Sequence, residues 1–118
     1  MSTAAHIVVA LIGLLHIYIL VLEMFLWTKP AGLRAFGQTP QNADLTKVLA
    51  ANQGLYNGFL AAGLLWGVWL GPAGNAIKVF FLLCVLVAGL YGAATASRKI
   101  LFIQAVPALI GLALVALS

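Results

Sequence analysis

Four long apolar stretches, Ala4–Trp27, Val48–Leu70, Ala76–Ala96 and Ile100–Leu117, alternate with short polar segments along the chain. Each approaches the roughly 20 residues that a helix needs to cross a hydrocarbon core about 30 Å thick. A membrane β-barrel would show segments of about ten residues with alternating polarity, and these runs are unbroken. The pattern therefore predicts an all-α, polytopic integral membrane four-helix bundle. It forms a single transmembrane domain over 1–118, with helices near 4–27, 48–70, 76–96 and 100–117.

Local signals punctuate the four runs. Trp27-Thr28-Lys29-Pro30 closes the first, with an aromatic and a cation suited to an interface ahead of a helix-stopping proline. Residues from Ala31 to about Gln38 are expected to form the longest loop. Thr39-Pro40 then has the form of an N-cap followed by proline at the first helical position, so the second helix starts well before it enters lipid. Gly71-Pro72-Ala73-Gly74-Asn75 predicts a tight turn, and Ala96-Ser97-Arg98-Lys99 a second short connection. Gly63, Gly67 and Gly71, and likewise Ala88, Gly92 and Ala96, recur at four-residue spacing. In lipid such rows let helices approach closely, within one chain or between copies, and a two-fold homo-oligomer is expected on that basis.

Composition confirms the need for lipid. Of 118 residues, 64% are hydrophobic and 7% charged, against about 45–50% and roughly 25% in a soluble domain. The net charge of +4 does not point to nucleic acid, because no basic face or recognition motif accompanies it. Lys29, Arg34 and Lys47 fall in the first connection, Arg98 and Lys99 in the third, and Lys78 stands alone on the other side. The positive-inside rule then places both termini outside in a bacterial inner membrane. The first apolar stretch lacks a basic segment ahead of it and carries His16 and Glu23, so it reads as a retained helix and not a cleaved signal. Cys84 is the one cysteine; it excludes an intramolecular disulfide and reads as an apolar filler.

Polar groups inside a bilayer are costly and usually face a bundle interior or a cavity. Counted by depth, Glu23, Asn52, Gln53, Tyr56, Asn57, Tyr91 and Gln104 all reach the cytoplasmic leaflet, while the outer half is almost uniformly aliphatic apart from His16. Gly13, His16, Leu20, Glu23 and Trp27 follow a 3–4–3–4 stripe on one helix face. Glu23 and His16 are the candidate acid–base pair. Asn52, Gln53, Tyr56, Asn57, Tyr91 and Gln104 are the candidate ligand-binding groups, and helix-to-helix hydrogen bonding is the plainer role open to each. Pro107 lacks an N–H, which frees the Ile103 carbonyl beside Gln104. Two histidines ten residues apart and one acid make no metal set, and no cofactor motif occurs.

The runs His16-Ile-Tyr-Ile-Leu-Val-Leu-Glu23-Met24-Phe-Leu-Trp27 and Asn52-Gln53-Gly54-Leu-Tyr56-Asn57-Gly58, with Tyr91-Gly92 and Gln104-Ala-Val-Pro107, resemble a bacterial integral membrane family. It is catalogued as domain of unknown function thirteen-oh-four. The resemblance implies four membrane helices and carries no activity with it. The residues suggest a pocket around Glu23 that binds, or transfers a proton on, a small lipophilic ligand. A proton-coupled exporter and a non-catalytic scaffold subunit are the alternatives.

Overall fold

The computed structural model describes residues 3–118, which are helical throughout their regular structure, with no strand among them. Helix α1 runs unbroken over Thr3–Met24. Where the hydropathy pattern predicts a loop, the chain forms a short helix, α2, over Pro30–Phe36. Its ends explain the difference. Pro30 occupies the first turn, where its missing N–H and fixed φ are compatible with a helix. At the other end Gly37 takes a left-handed φ of 61°, and the Gln38 N–H bonds back to the Leu33 carbonyl at 3.0 Å. That six-to-one closure is a Schellman ending.

Helix α3 covers Pro40–Trp69. Its start follows the Thr39-Pro40 signal: the Asn42 N–H donates to the Thr39 hydroxyl at 3.2 Å. A 3-10 turn over Gly71–Gly74 leads into α4, Asn75–Thr95. The last apolar stretch is not one regular helix. Leu101–Ala105 forms a π-helical turn, closed by the Val106 N–H on the Leu101 carbonyl, before α5 over Val106–Ala116. Pro107 interrupts the ladder of α-helical bonds just beyond it.

Thr3–Met24 and Gly71–Thr95 are long and apolar enough to cross a membrane. Leu101–Ala116 is apolar but shorter, and the apolar part of α3 is interrupted by Asn52, Gln53 and Asn57.

The chain divides into two compact units, one of residues up to Gly13 with Ala62–Ser118, the other Leu14–Ala61. In the first, α3 and α4 meet at glycines. Gly63 lies against the Phe81 ring and Gly74 against the Gly67 carbonyl, too close for any β-carbon. Lys78 is fully buried there; its ammonium donates to the Gly71 carbonyl at 2.8 Å and to Asn75 Oδ1 at 3.1 Å. Gly89 meets the Ala105 backbone nitrogen, so that an added β-carbon would stand 2.6 Å away. Leu64, Leu82, Val85 and Ala108 are fully buried in this unit.

The second unit joins the later part of α1, α2 and the first two-thirds of α3. Gly54 and Gly58, four residues apart, turn their bare α-carbons to α1. A β-carbon at Gly54 would stand 2.6 Å from Met24 Cγ, and one at Gly58 2.7 Å from Leu20 Cδ1. Gly32 packs against the Leu26 carbonyl in the same way. Trp27 ties the unit together: its ring lies 4.9 Å from Phe36, centroid to centroid, and its Nε1 donates to Thr46 Oγ1 at 3.1 Å.

Candidate functional site

Because Gly54 lets α1 and α3 approach, an amide one turn farther along α3 reaches the only glutamate. Asn57 Nδ2 donates to Glu23 Oε1 at 2.6 Å and also to the Gln53 carbonyl at 3.1 Å. The other carboxyl oxygen receives no bond among the described residues. Glu23 is one wall of a cleft of about 340 Å³, with Met24, Phe25, Trp27, Thr28, Lys47, Val48, Ala51 and Asn52. Pockets for small molecules begin at about 300 Å³ and pair apolar walls with a few placed polar groups. This open cleft reaches that volume, with Glu23, Thr28, Lys47 and Asn52 beside five apolar side chains.

The polar groups around the cleft already have partners. Asn52 Nδ2 donates to the Val48 carbonyl at 2.9 Å, and Lys47 Nζ donates to Asp44 Oδ1 at 3.2 Å. The Thr46 hydroxyl that accepts from Trp27 passes its own hydrogen to the Asn42 carbonyl at 2.8 Å. A larger, shallower groove of about 530 Å³ lies in the other unit, walled by Ala76, Val79, Phe80, Leu83 and Val115 with Asn75. It has no titratable side chain, so the chemistry concentrates at Glu23.

The candidate residues from the sequence fall into three groups. Glu23, Asn52 and Asn57 come together, with Gln53 contributing its backbone carbonyl. The Gln53 side chain is exposed, and Tyr56 is exposed beside Phe59 at 6.0 Å between ring centroids. His16 is fully buried on α1, seven residues before Glu23, about 10 Å along the axis. Tyr91, 72% exposed, and Gln104, half-buried in the π turn, belong to the other unit. No group of three or more His, Cys, Asp or Glu that could hold a metal occurs among the described residues.

Sequence reasoning missed the walls of the cleft. The sequence pattern assigns Trp27 to the interface and Lys47 to orientation and gives Thr28 no role, whereas all three line the cleft. A usable signal did exist: Gly54 and Gly58 form a small-xxx-small pair beside the amides, the pattern that brings membrane helices together.

Residues 10–116, which include Glu23, Asn57 and the whole cleft, match the family described as Protein of unknown function (DUF1304). The chain belongs to this family. An uncharacterized protein, YpaA, from Lactococcus lactis subsp. lactis (strain IL1403) is 30% identical over 119 residues, covering 99% of this chain and 96% of the relative. No solved structure matches the chain. The DUF1304 match thus covers both units, and the site geometry carries the functional argument.

Proposed function

We propose that this DUF1304 protein crosses the bacterial inner membrane four times and uses the cleft beside Glu23 to bind a small, largely apolar molecule, with Glu23 exchanging a proton. The observation that carries the reading is the Asn57–Glu23 hydrogen bond, which orients one carboxyl oxygen of a residue lining the cleft and leaves the other without a bond among the described residues. A carboxyl so placed serves as a general acid or base for a bound molecule or as its counter-charge.

Several features support the membrane setting. Leu11, Phe80, Val87 and Leu109 are each more than half exposed, a surface that lipid covers at no cost. Helix α3, with 30 residues, is about 45 Å long, enough to cross despite its amides. The π turn and α5 together supply the fourth crossing. Lys78 is buried against a backbone carbonyl, which leaves Lys29, Arg34, Lys47, Arg98 and Lys99 as the exposed cations and favours termini outside. A two-fold dimer is part of the reading, although Gly63 and Gly67 already serve contacts within the chain; Ala88 and Ala96 are the exposed small residues left for it.

The test uses Trp27 as reporter in a Trp66→Phe/Trp69→Phe background in nanodiscs. A terminally brominated nonanol, whose bromine quenches a nearby indole, should quench Trp27 saturably, with an affinity that changes as the Glu23 carboxyl titrates. Glu23→Gln should fold, shown by an unchanged helical spectrum, yet bind independently of pH. Identical pH profiles for the two proteins would leave Glu23 a structural carboxyl.

A further inference from the structure

The polar atoms around the cleft divide unevenly between donors and acceptors. Asn57 Nδ2 is engaged by Glu23 and the Gln53 carbonyl. Asn52 Nδ2 gives one hydrogen to the Val48 carbonyl, Trp27 Nε1 donates to Thr46, and Lys47 Nζ gives one of its hydrogens to Asp44. Two acceptors have no partner among the described residues. Asn52 turns its amide nitrogen to its own helix, so its Oδ1 is the atom left over, and Glu23 retains its second oxygen. The Thr28 hydroxyl on the same wall serves in either direction. Glu23's second oxygen and Asn52 Oδ1 are open acceptors on the cleft, and a ligand that donates would meet both.

Charge agrees with hydrogen bonding. Lys47 is the one cation on the cleft wall, and its salt bridge with Asp44 at 3.2 Å offsets it at an exposed position. Glu23 itself forms no salt bridge among the described residues. The Trp27 and Phe25 rings and Met24 provide the apolar and polarizable surface on which a cation rests favourably.

From this we infer that the occupant is an N–H-bearing ammonium on an apolar body, its nitrogen donating to Glu23 and Asn52 and its hydrocarbon lying along Met24, Phe25, Trp27 and Val48. The inference rests on the reading of the cleft as a binding site. Two sources supply that chemistry: a free lipophilic amine and the headgroup of an aminophospholipid. Binding needs no covalent step. An ammonium that enters a protonated site displaces the Glu23 proton, which leaves to solvent.

The experiment uses the same Trp27 reporter in nanodiscs of phosphatidylcholine and phosphatidylglycerol, neither of which has an ammonium N–H. A terminally brominated nonylamine should quench Trp27 saturably and about tenfold more tightly than the brominated nonanol, the value of one charge-assisted hydrogen bond. Its trimethylammonium analogue keeps the charge and the aromatic contact but loses the N–H donors, and should bind more weakly than the amine. Glu23→Gln should abolish the advantage of the amine while leaving the helical spectrum intact. Saturable, Glu23-dependent alcohol binding as tight as that of the amine would refute the ligand class and leave the site standing. An analogue as tight as the amine would refute it too. Linear quenching by every probe, as for bulk partitioning, would overturn both readings. Phosphatidylethanolamine doped into the discs assigns the source within a supported class: competition with the amine identifies the headgroup, and its absence the free amine.

Discussion

Gly54 lies so close to Glu23 that a β-carbon on the glycine would stand 3.1 Å from the glutamate's own β-carbon. Two backbones at that distance leave Asn57 within reach of the carboxyl, so the glycine sets the geometry of the site without touching a ligand. Gly54→Ala should therefore act twice. Overpacking against Met24 and the Leu20 carbonyl should cost about 1–3 kcal/mol, read as a lower unfolding temperature, and Trp27 emission should shift as the cleft changes shape. Gly37→Ala is the control. Nothing lies within 4 Å of its added carbon and only its φ of 61° opposes it, so it should cost about 1 kcal/mol and leave Trp27 emission unchanged.

The Asn57–Glu23 bond should appear as a coupling energy. Asn57→Ala and Glu23→Ala, singly and together, form a cycle that isolates the pair. Side-chain hydrogen bonds between membrane helices average about 0.6 kcal/mol and reach about 1.7; the short 2.6 Å contact predicts a value toward the upper end. Additive effects in reversible unfolding would show that the two residues act separately.

Lys78 is expected to hold the α3–α4 connection closed. Lys78→Met keeps the apolar stem but removes the donor to the Gly71 carbonyl and Asn75. Leaving these acceptors unpaired should cost about 1–3 kcal/mol. Lys78→Arg should not rescue it, because Gly67 already packs within 2.7 Å of Lys78 Cγ, as measured from an added β-carbon. Thermal unfolding of both variants checks this, with equal stability of wild type and Lys78→Met as the contrary result.

Orientation follows from the same lysine. With Lys78 buried, the exposed Lys and Arg side chains are at 29, 34, 47, 98 and 99, which on the proposed four-crossing reading join the first crossing to the second and the third to the fourth. Reporters active only outside the inner membrane should work when fused at either terminus, and reporters needing the cytoplasm should work within 31–38. Active cytoplasmic reporters at the termini would invert the topology.

The apolar runs, the N-cap at Thr39-Pro40 and the singular status of Glu23 were legible in the sequence because each depends on local composition. Lipid demands uninterrupted apolar length, proline and threonine act on their own turn, and a lone acid stands out in any register. Helix α2 was half legible: Pro30 and Gly37 were visible, but seven residues are too few for hydropathy to distinguish a helix from a loop. Which amide meets Glu23 was decided by tertiary structure. Asn52, Gln53 and Asn57 are equivalent in composition and all near one depth. The choice of Asn57 depends on the rotation of α3 about its axis, which Gly54 and Gly58 set by admitting α1 at one face. The same rotation exposes Tyr56 and buries no ligand group beneath it, and it brings Trp27 and Lys47 into the cleft wall. Periodicity names the residues that share a face; it carries no record of how closely two faces meet, and that distance is what creates the site.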